Sequence, residues 1–360
     1  MSGRTLAWLA GAVVILVALA LLGQREKQPP TQSGALFLPG LMESLDDVDR
    51  IELVRGGNEM AATLERGPTG WSVVDRDGYP ADLRKIRHTL LSLAEARILE
   101  AKTANPALHD RLGVEAIEGP SAGGIAVTLQ GIDPPVSVIV GDTTGDYQSY
   151  ARRADDPQSY LVDRDPEVGR SSADWLDTAL LAIDGERIQE VLLTHPDGEI
   201  VRVTKAGPEQ ANFTVQDVPE GRELLYESVA NVMGNVLDDL SLDDVERRTE
   251  DPEERVVTEF RTFDGLIITA EGFERDDEAW VTFRARASAA EGSGAEVADS
   301  AGDGADAGSS PAADSEPAPA DPEAEAQELN QRLDSWTFQI PVYKFEQMTR
   351  RMSDLLQAQP

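Results

Sequence analysis

A chain of 360 residues, 41% of them hydrophobic, is long enough for two domains of ordinary size and too apolar for a disordered polymer. The formal net charge of −34 argues against a nucleic-acid partner, which needs a surplus of Lys and Arg, and against adhesion to anionic lipid. Cysteine is absent, which excludes disulfides, thiol catalysis, iron–sulfur clusters and Cys-type zinc sites.

Taken in chain order, the first feature is the run Leu6–Leu22, apolar and small throughout, with Trp8 near one end. Its length is at the lower limit for spanning the hydrocarbon core, and it predicts a single transmembrane helix within an anchor over residues 1–27. Ala18-Leu19-Ala20 keeps a cleaved signal peptide open as the rival reading. Arg4 on one side and Arg25 and Lys27 on the other leave the orientation undetermined by charge. Residues 28–47, with Pro29, Pro30, Gly34, Pro39 and Gly40, read as an extended spacer.

A first module is expected over residues 48–183. Ile51–Val54 and Ala61–Arg66 predict paired strands, and Gly67-Pro68-Thr69-Gly70 a turn before a strand at Trp71. Asp82 reads as the N-cap of a helix over Leu83–Glu95, with Ile86, Leu90 and Leu93 on one face. Hairpins are expected for Ile125–Leu129 with Val136–Val140, and for Tyr147–Arg152 with Ser159–Val162. Ser172–Leu181 reads as a weak closing helix.

A second module, residues 184–360, restates this order. Val191 and Leu193 mark a strand, Phe213–Asp217 the counterpart of Trp71–Asp75, and Val229, Met233 and Val236 the stripe of a helix. Arg255–Thr262 and Leu266–Ala270 pair around Phe263-Asp264-Gly265. Glu278–Arg286 is expected to pair with Trp336–Ile340, and Tyr343–Leu356 to form a closing helix. Between those strands, residues 289–327 consist almost wholly of Ala, Gly, Ser, Pro, Asp and Glu, and read as a disordered acidic insertion. The predicted fold class is therefore α+β: two similar modules, each an antiparallel sheet with a helix packed on one face, behind the N-terminal helix.

The residues that could carry chemistry are few. His88, His109 and His195 have no partner at metal-ligand spacing and read as isolated surface histidines. Asp75-Arg76-Asp77-Gly78 lacks the later positions of a calcium loop and reads as a turn. Asp142 with Asp146, and Asp163 with Asp165, are acid pairs that hairpin connections explain equally well. With 66 acids in the chain, no carboxylate pair stands out as that of a hydrolase. No nucleophile-elbow, P-loop or dinucleotide motif occurs. No catalytic, cofactor-binding or metal-binding residue is assigned, and no cofactor is expected. Trp71 and Tyr160 read as packing residues or contacts. Tyr79, Tyr147 and Tyr150 are the candidates for partner or ligand contact.

Trp71, Tyr79-Pro80-Ala81-Asp82, Leu90–Leu93, Leu112-Gly113-Val114, Val138–Gly141, Tyr150-Ala151-Arg152 and Tyr160-Leu161-Val162 together resemble a bacterial family. Its members are membrane-anchored proteins with a domain of unknown function, often encoded beside gliding-motility-type ABC transporters. The resemblance runs well over Val48–Val162 and more loosely beyond. It implies an anchor in the inner membrane, a body outside the cytoplasm, and an ABC permease or auxiliary subunit as partner. The expected function is that of a non-enzymatic accessory or scaffold subunit. The alternative is an extracytoplasmic module binding a glycan or small solute.

Overall fold

The computed structural model of the protein describes residues 33–145, 147–249, 252–288 and 321–358. The expected anchor at Leu6–Leu22 and most of the acidic insertion lie outside these residues. Among those described, no helix is long and apolar enough to cross a membrane. The chain divides into two compact units. One holds the described residues up to Asp75 together with Pro80–Trp175, the other Arg76–Tyr79 and the described residues from Leu176 onward.

In the first unit, β1 (Arg50–Arg55), β2 (Glu59–Gly67) and β3 (Gly70–Val73) form a meander. Gly57 and Asn58, both with positive φ, make the β1–β2 turn. After β4 (Tyr79–Pro80), Asp82 opens helix α1 (Leu83–Glu95) by accepting the amides of Arg84 and Lys85. Ile86, Leu90 and Leu93 are buried as the spacing predicts, joined by Thr89, whose hydroxyl donates to Pro166 O at 2.9 Å. The chain then makes β5 (Ile98–Ala101), β6 (Ile125–Gln130), β7 (Val136–Thr144), β8 (Gln148–Arg153) and β9 (Ser159–Val162). Both expected hairpins form, with Ile125 opposite Val140 and Arg152 opposite Ser159. Apart from β4, the sheet order is β3-β2-β1-β6-β7-β8-β9-β5. Beyond β5 the edge is covered by the chain at Gly34–Phe37, whose amides and carbonyls bond Ala96 and Ile98.

The second unit contains β10 (Ala179–Leu181), β11 (Ile188–Thr194), β12 (Ile200–Thr204), β13 (Thr214–Val215), β14 (Leu240–Ser241), β15 (Asp244–Arg247), β16 (Val256–Thr262), β17 (Leu266–Arg275), β18 (Glu278–Ala287) and β19 (Trp336–Gln339). Its main sheet runs β13-β12-β11-β16-β17-β18-β19-β15, the same order of chain positions as in the first sheet. The Asp-Gly hairpin and the β18–β19 pairing occur as expected. The β17–β18 turn is made by Asp276 and Asp277, both at positive φ, with Arg275 opposite Glu278. Val191, Leu193, Val201, Val203, Phe260, Ile268 and Phe283 are buried on one face.

Four expectations need correction. Val229, Met233 and Val236 are buried, but only Asn231–Gly234 turns as a helix. The Asn231 amide is drawn out to the backbone of Ala211 and Phe213, and Phe213 packs where a Cβ on Gly234 would stand. Both residue types are poor helix formers. The closing helix is split into α3 (Val342–Met348) and α4 (Met352–Leu355). Between them Arg351 is held sideways by Asp197 and Glu199, and the Asp354 carboxylate starts a new helix on the Arg351 amide. Ser172–Leu181 is not helical but a 3-10 turn at Ala173–Trp175 followed by β10. Asp174 accepts the amides of Arg170 and Ser171 there, bonds that compete with helix.

The fourth correction concerns the acidic insertion. Its end is ordered as part of helix α2 (Pro322–Leu333), capped by Asp321 on the Glu323 amide. Ala326, Leu329 and Leu333 are buried, and α2 packs on β17 and β18. β19 pairs β18 at Trp280 and Val281, with the Ile340 amide donating to Ala279 O, and β18 runs on past this pairing to Ala287. There the Asn330 side chain accepts from Ala285 N at 2.8 Å and donates to Ala285 O at 2.7 Å, so one amide replaces a neighbouring strand.

Candidate functional site

The three candidate tyrosines occupy different environments. Tyr79 is buried in the second unit, edge-on to Trp336 with centroids 5.0 Å apart and to Phe338 at 6.3 Å. Burial, reinforced by Asp177, pushes its phenol up to about 12. Tyr79 is therefore a packing residue. Tyr150 is half-buried and packs on the cluster Val114, Ile117 and Ile139, with the Lys102 ammonium 5.8 Å from its ring centroid. Tyr147, in the β7–β8 turn, is 75% exposed and has a φ of +63°. A bulky residue rarely adopts that backbone, and here it lifts the ring into solvent. Trp71 and Tyr160 are buried, the first under the Arg66 guanidinium at 5.3 Å.

Three of the sequence signatures of the first module meet in one place. The sheet's two faces alternate, with Ile51, Leu53, Val127 and Val138 fully buried on one and Val54, Ala126, Ile139 and Tyr150 on the other. The β5–β6 connection, Lys102–Gly124, lies on this second face through Leu112, Val114 and Ile117. It comes so close that a side chain at Gly141 would meet Leu112 O, and one at Gly124 would meet Gly113 O. Gly113 itself has a φ of +64°, the left-handed cap of the preceding 3-10 helix.

Two buried polar groups fasten this connection. Arg152 donates from Nε to Val114 O at 2.8 Å, and from Nη1 to the carbonyls of Arg153, Ala154 and Asp156 at 3.2 Å each. Burial pulls its pKa below the ordinary guanidinium value, with Asp156 and Glu118 opposing. His109 Nε2 lies 2.9 Å from Pro157 O. The motifs at Leu112–Val114, Val138–Gly141 and Tyr150–Arg152 are thus parts of one packing arrangement. The expectation of surface histidines holds for His88, which is exposed beside Glu167, and fails for His109 and His195, which are buried. His195 Nε2 lies 3.4 Å from Arg350 O.

The acids resolve into local roles. Asp75 accepts the Thr63 amide at 2.6 Å, and Asp77 takes positive φ in its turn. Asp163 accepts the Arg97 amide, and Asp165 accepts Thr143 Oγ1 and the Glu167 amide. Asp142 is exposed, and Asp146 lies outside the described residues. Among the described residues, no group of three or more His, Cys, Asp or Glu side chains could hold a metal ion.

Lys205 in the second unit belongs to no sequence motif. It is buried, with its ammonium 3.2 Å from Gly185 O and 4.5 Å from the Phe213 ring centroid. It lines an open pocket of about 640 Å³ with Asn235, Gln210, Asp184, Glu209 and Asp238. Only its place after a β-strand and the nearby Gly207-Pro208 turn hint at this in the sequence.

A family model described as a domain of unknown function, DUF4340, covers residues 71–258, from β3 in the first unit to the start of β16 in the second. The resemblance read from the sequence placed its strongest part at Val48–Val162; the model starts later and runs further. No curated protein and no solved structure matches the chain. Extending over just over half of the 360 residues, the match makes this chain a member of the DUF4340 family, whose shared domain has no known function.

Proposed function

We propose that the protein is a non-enzymatic accessory or scaffold subunit of an ABC-transporter-like envelope complex, held by a single N-terminal span with its body outside the cytoplasm. We further infer that its two units are duplicates, which their common strand order supports. The observation that carries the binding role is Tyr147, an aromatic ring held out on a left-handed hairpin tip while the other candidate tyrosines are packed away. Exposed aromatic anchors on rigid supports concentrate binding energy at protein interfaces. The apolar run at Leu6–Leu22 supports the anchor, and the family resemblance suggests the transporter partner. Crosslinking in native membranes followed by mass spectrometry tests this. A permease or auxiliary subunit should be recovered with the natural chain and lost with Tyr147→Ala; recovery of no reproducible partner sinks the reading.

A second reading, a small-solute binding module, is favoured by the pocket around Lys205. A buried ammonium with acids and amides around it suits a polar solute. Thermal stabilisation by a solute that disappears in Lys205→Met would support it.

A further inference from the structure

The shared strand order allows corresponding sheet faces to be compared. In the first unit, the face carrying Val54, Ala126 and Ile139 is covered by the β5–β6 connection, Lys102–Gly124. The corresponding β15–β16 connection in the second unit is only Arg248–Arg255, about a third of that length. The second sheet's matching face has a different chemistry, with four exposed arginines around a buried Ile267.

Two adjacent cross-strand rows occupy it. One runs Arg202, Leu192, Glu259, Thr269, Arg284; the other runs Glu190, Arg261, Ile267, Arg286. Arg202 and Arg261 pair with Glu190, while Arg261 and Arg286 pair with Glu259. The two charges are not equally accessible. Side-chain exposure is 51%, 41%, 58% and 55% for Arg202, Arg261, Arg284 and Arg286, against 14% and 25% for Glu190 and Glu259. The carboxylates lie low between the arginine stems, and the guanidinium heads stand above them. With Asp334 on Arg284 at 3.4 Å counted, the face still carries a positive excess on a chain of net charge −34.

We propose that this arginine face of the second sheet docks an acidic peptide segment of a protein partner. Guanidinium groups bind carboxylates in paired hydrogen bonds, and their planar heads keep donors free after one carboxylate is bound. An extended acidic segment would place successive side chains at spacings comparable with those rows. The proposal rests on the partner-binding reading and adds the surface and the partner's chemistry.

The test uses the full chain and a fluorescent oligoglutamate peptide of about ten residues, with a glutamine peptide as control, at low and near-physiological salt. The oligoglutamate should bind at low salt, the control should not, and Arg284→Gln with Arg286→Gln should weaken binding by about tenfold. Both arginines are exposed, so the fold should survive. Asp334→Asn, which frees Arg284, should tighten binding by roughly two- to threefold. Absence of oligoglutamate binding, or equal binding by the double variant, overturns the proposal. Face-dependent binding of duplex DNA or phosphatidylserine vesicles in preference to the peptide also overturns it. If the double variant still recovers its membrane partner by crosslinking, this surface is wrong while the partner-binding reading stands.

Discussion

Replacing Arg152 by Met tests whether one guanidinium fastens the connection over the first sheet. Methionine keeps much of the aliphatic volume and removes the donors to Val114, Arg153, Ala154 and Asp156. A hydrogen bond from a charged donor contributes about 1.5–3 kcal/mol, and only the 2.8 Å bond to Val114 O counts in full. The three 3.2 Å contacts share Nη1 and add about as much as one ordinary bond, roughly 1 kcal/mol. Against this, methionine relieves the burial that already depresses the Arg152 pKa. The expected net loss is about 2–4 kcal/mol, with the Lys102–Gly124 connection the first part to loosen. Urea unfolding of the full chain, with limited proteolysis of that connection, reads both effects. Arg111→Met, an exposed change in the same connection, is the reference. If Arg152→Met unfolds and is cleaved like this reference, the arginine does not hold the connection.

Three further outcomes follow from particular contacts. Asn330→Ala strips both partners from Ala285 on the β18 edge and should cost about 2–3 kcal/mol, with hydrogen exchange rising in β18 before β16. Asp82→Ala should cost about 1 kcal/mol, because the Arg84 and Lys85 amides lose their cap, and should leave the second unit's unfolding unchanged. Tyr79 gives an alkaline signature. Its phenol titrates near 12 in the folded chain against an ordinary value of 10.0, so its contribution is fully present below pH 10 and disappears as pH rises toward 12. Tyr79→Phe should abolish that loss, roughly 2–3 kcal/mol, in stability measured from pH 9 to 12.

Period and turn chemistry made much of the fold readable. Ile86, Leu90 and Leu93 behind the Asp82 cap form the helix their spacing predicts, and Asp264-Gly265 between two apolar runs makes a hairpin locally. Side chains reaching across the fold were not readable. The stripe Val229, Met233, Val236 has helical spacing, yet Asn231 and Phe213 give that backbone other partners. Residues 322–327 share the composition of the acidic run, and only Leu329, Leu333 and Asn330 reveal a helix with an edge to cover. The contact candidates divided for the same reason: an aromatic residue near a turn can face either way. The φ of Tyr147 and the aromatic neighbours of Tyr79 decide it, and neither is a property of local sequence. The burial of Arg152 and Lys205 is not legible in the sequence, because it depends on carbonyls brought from elsewhere in the chain.

What touches the β7–β8 tip in the living membrane decides whether Tyr147 is a partner contact. A photoreactive phenylalanine analogue at position 147, activated in intact cells, should yield one reproducible adduct with a transporter-associated membrane protein. The same probe at Leu83, another exposed apolar position of the first unit, should not. Adducts that are absent at 147, or identical at the two positions, would contradict a partner-binding role for this tip.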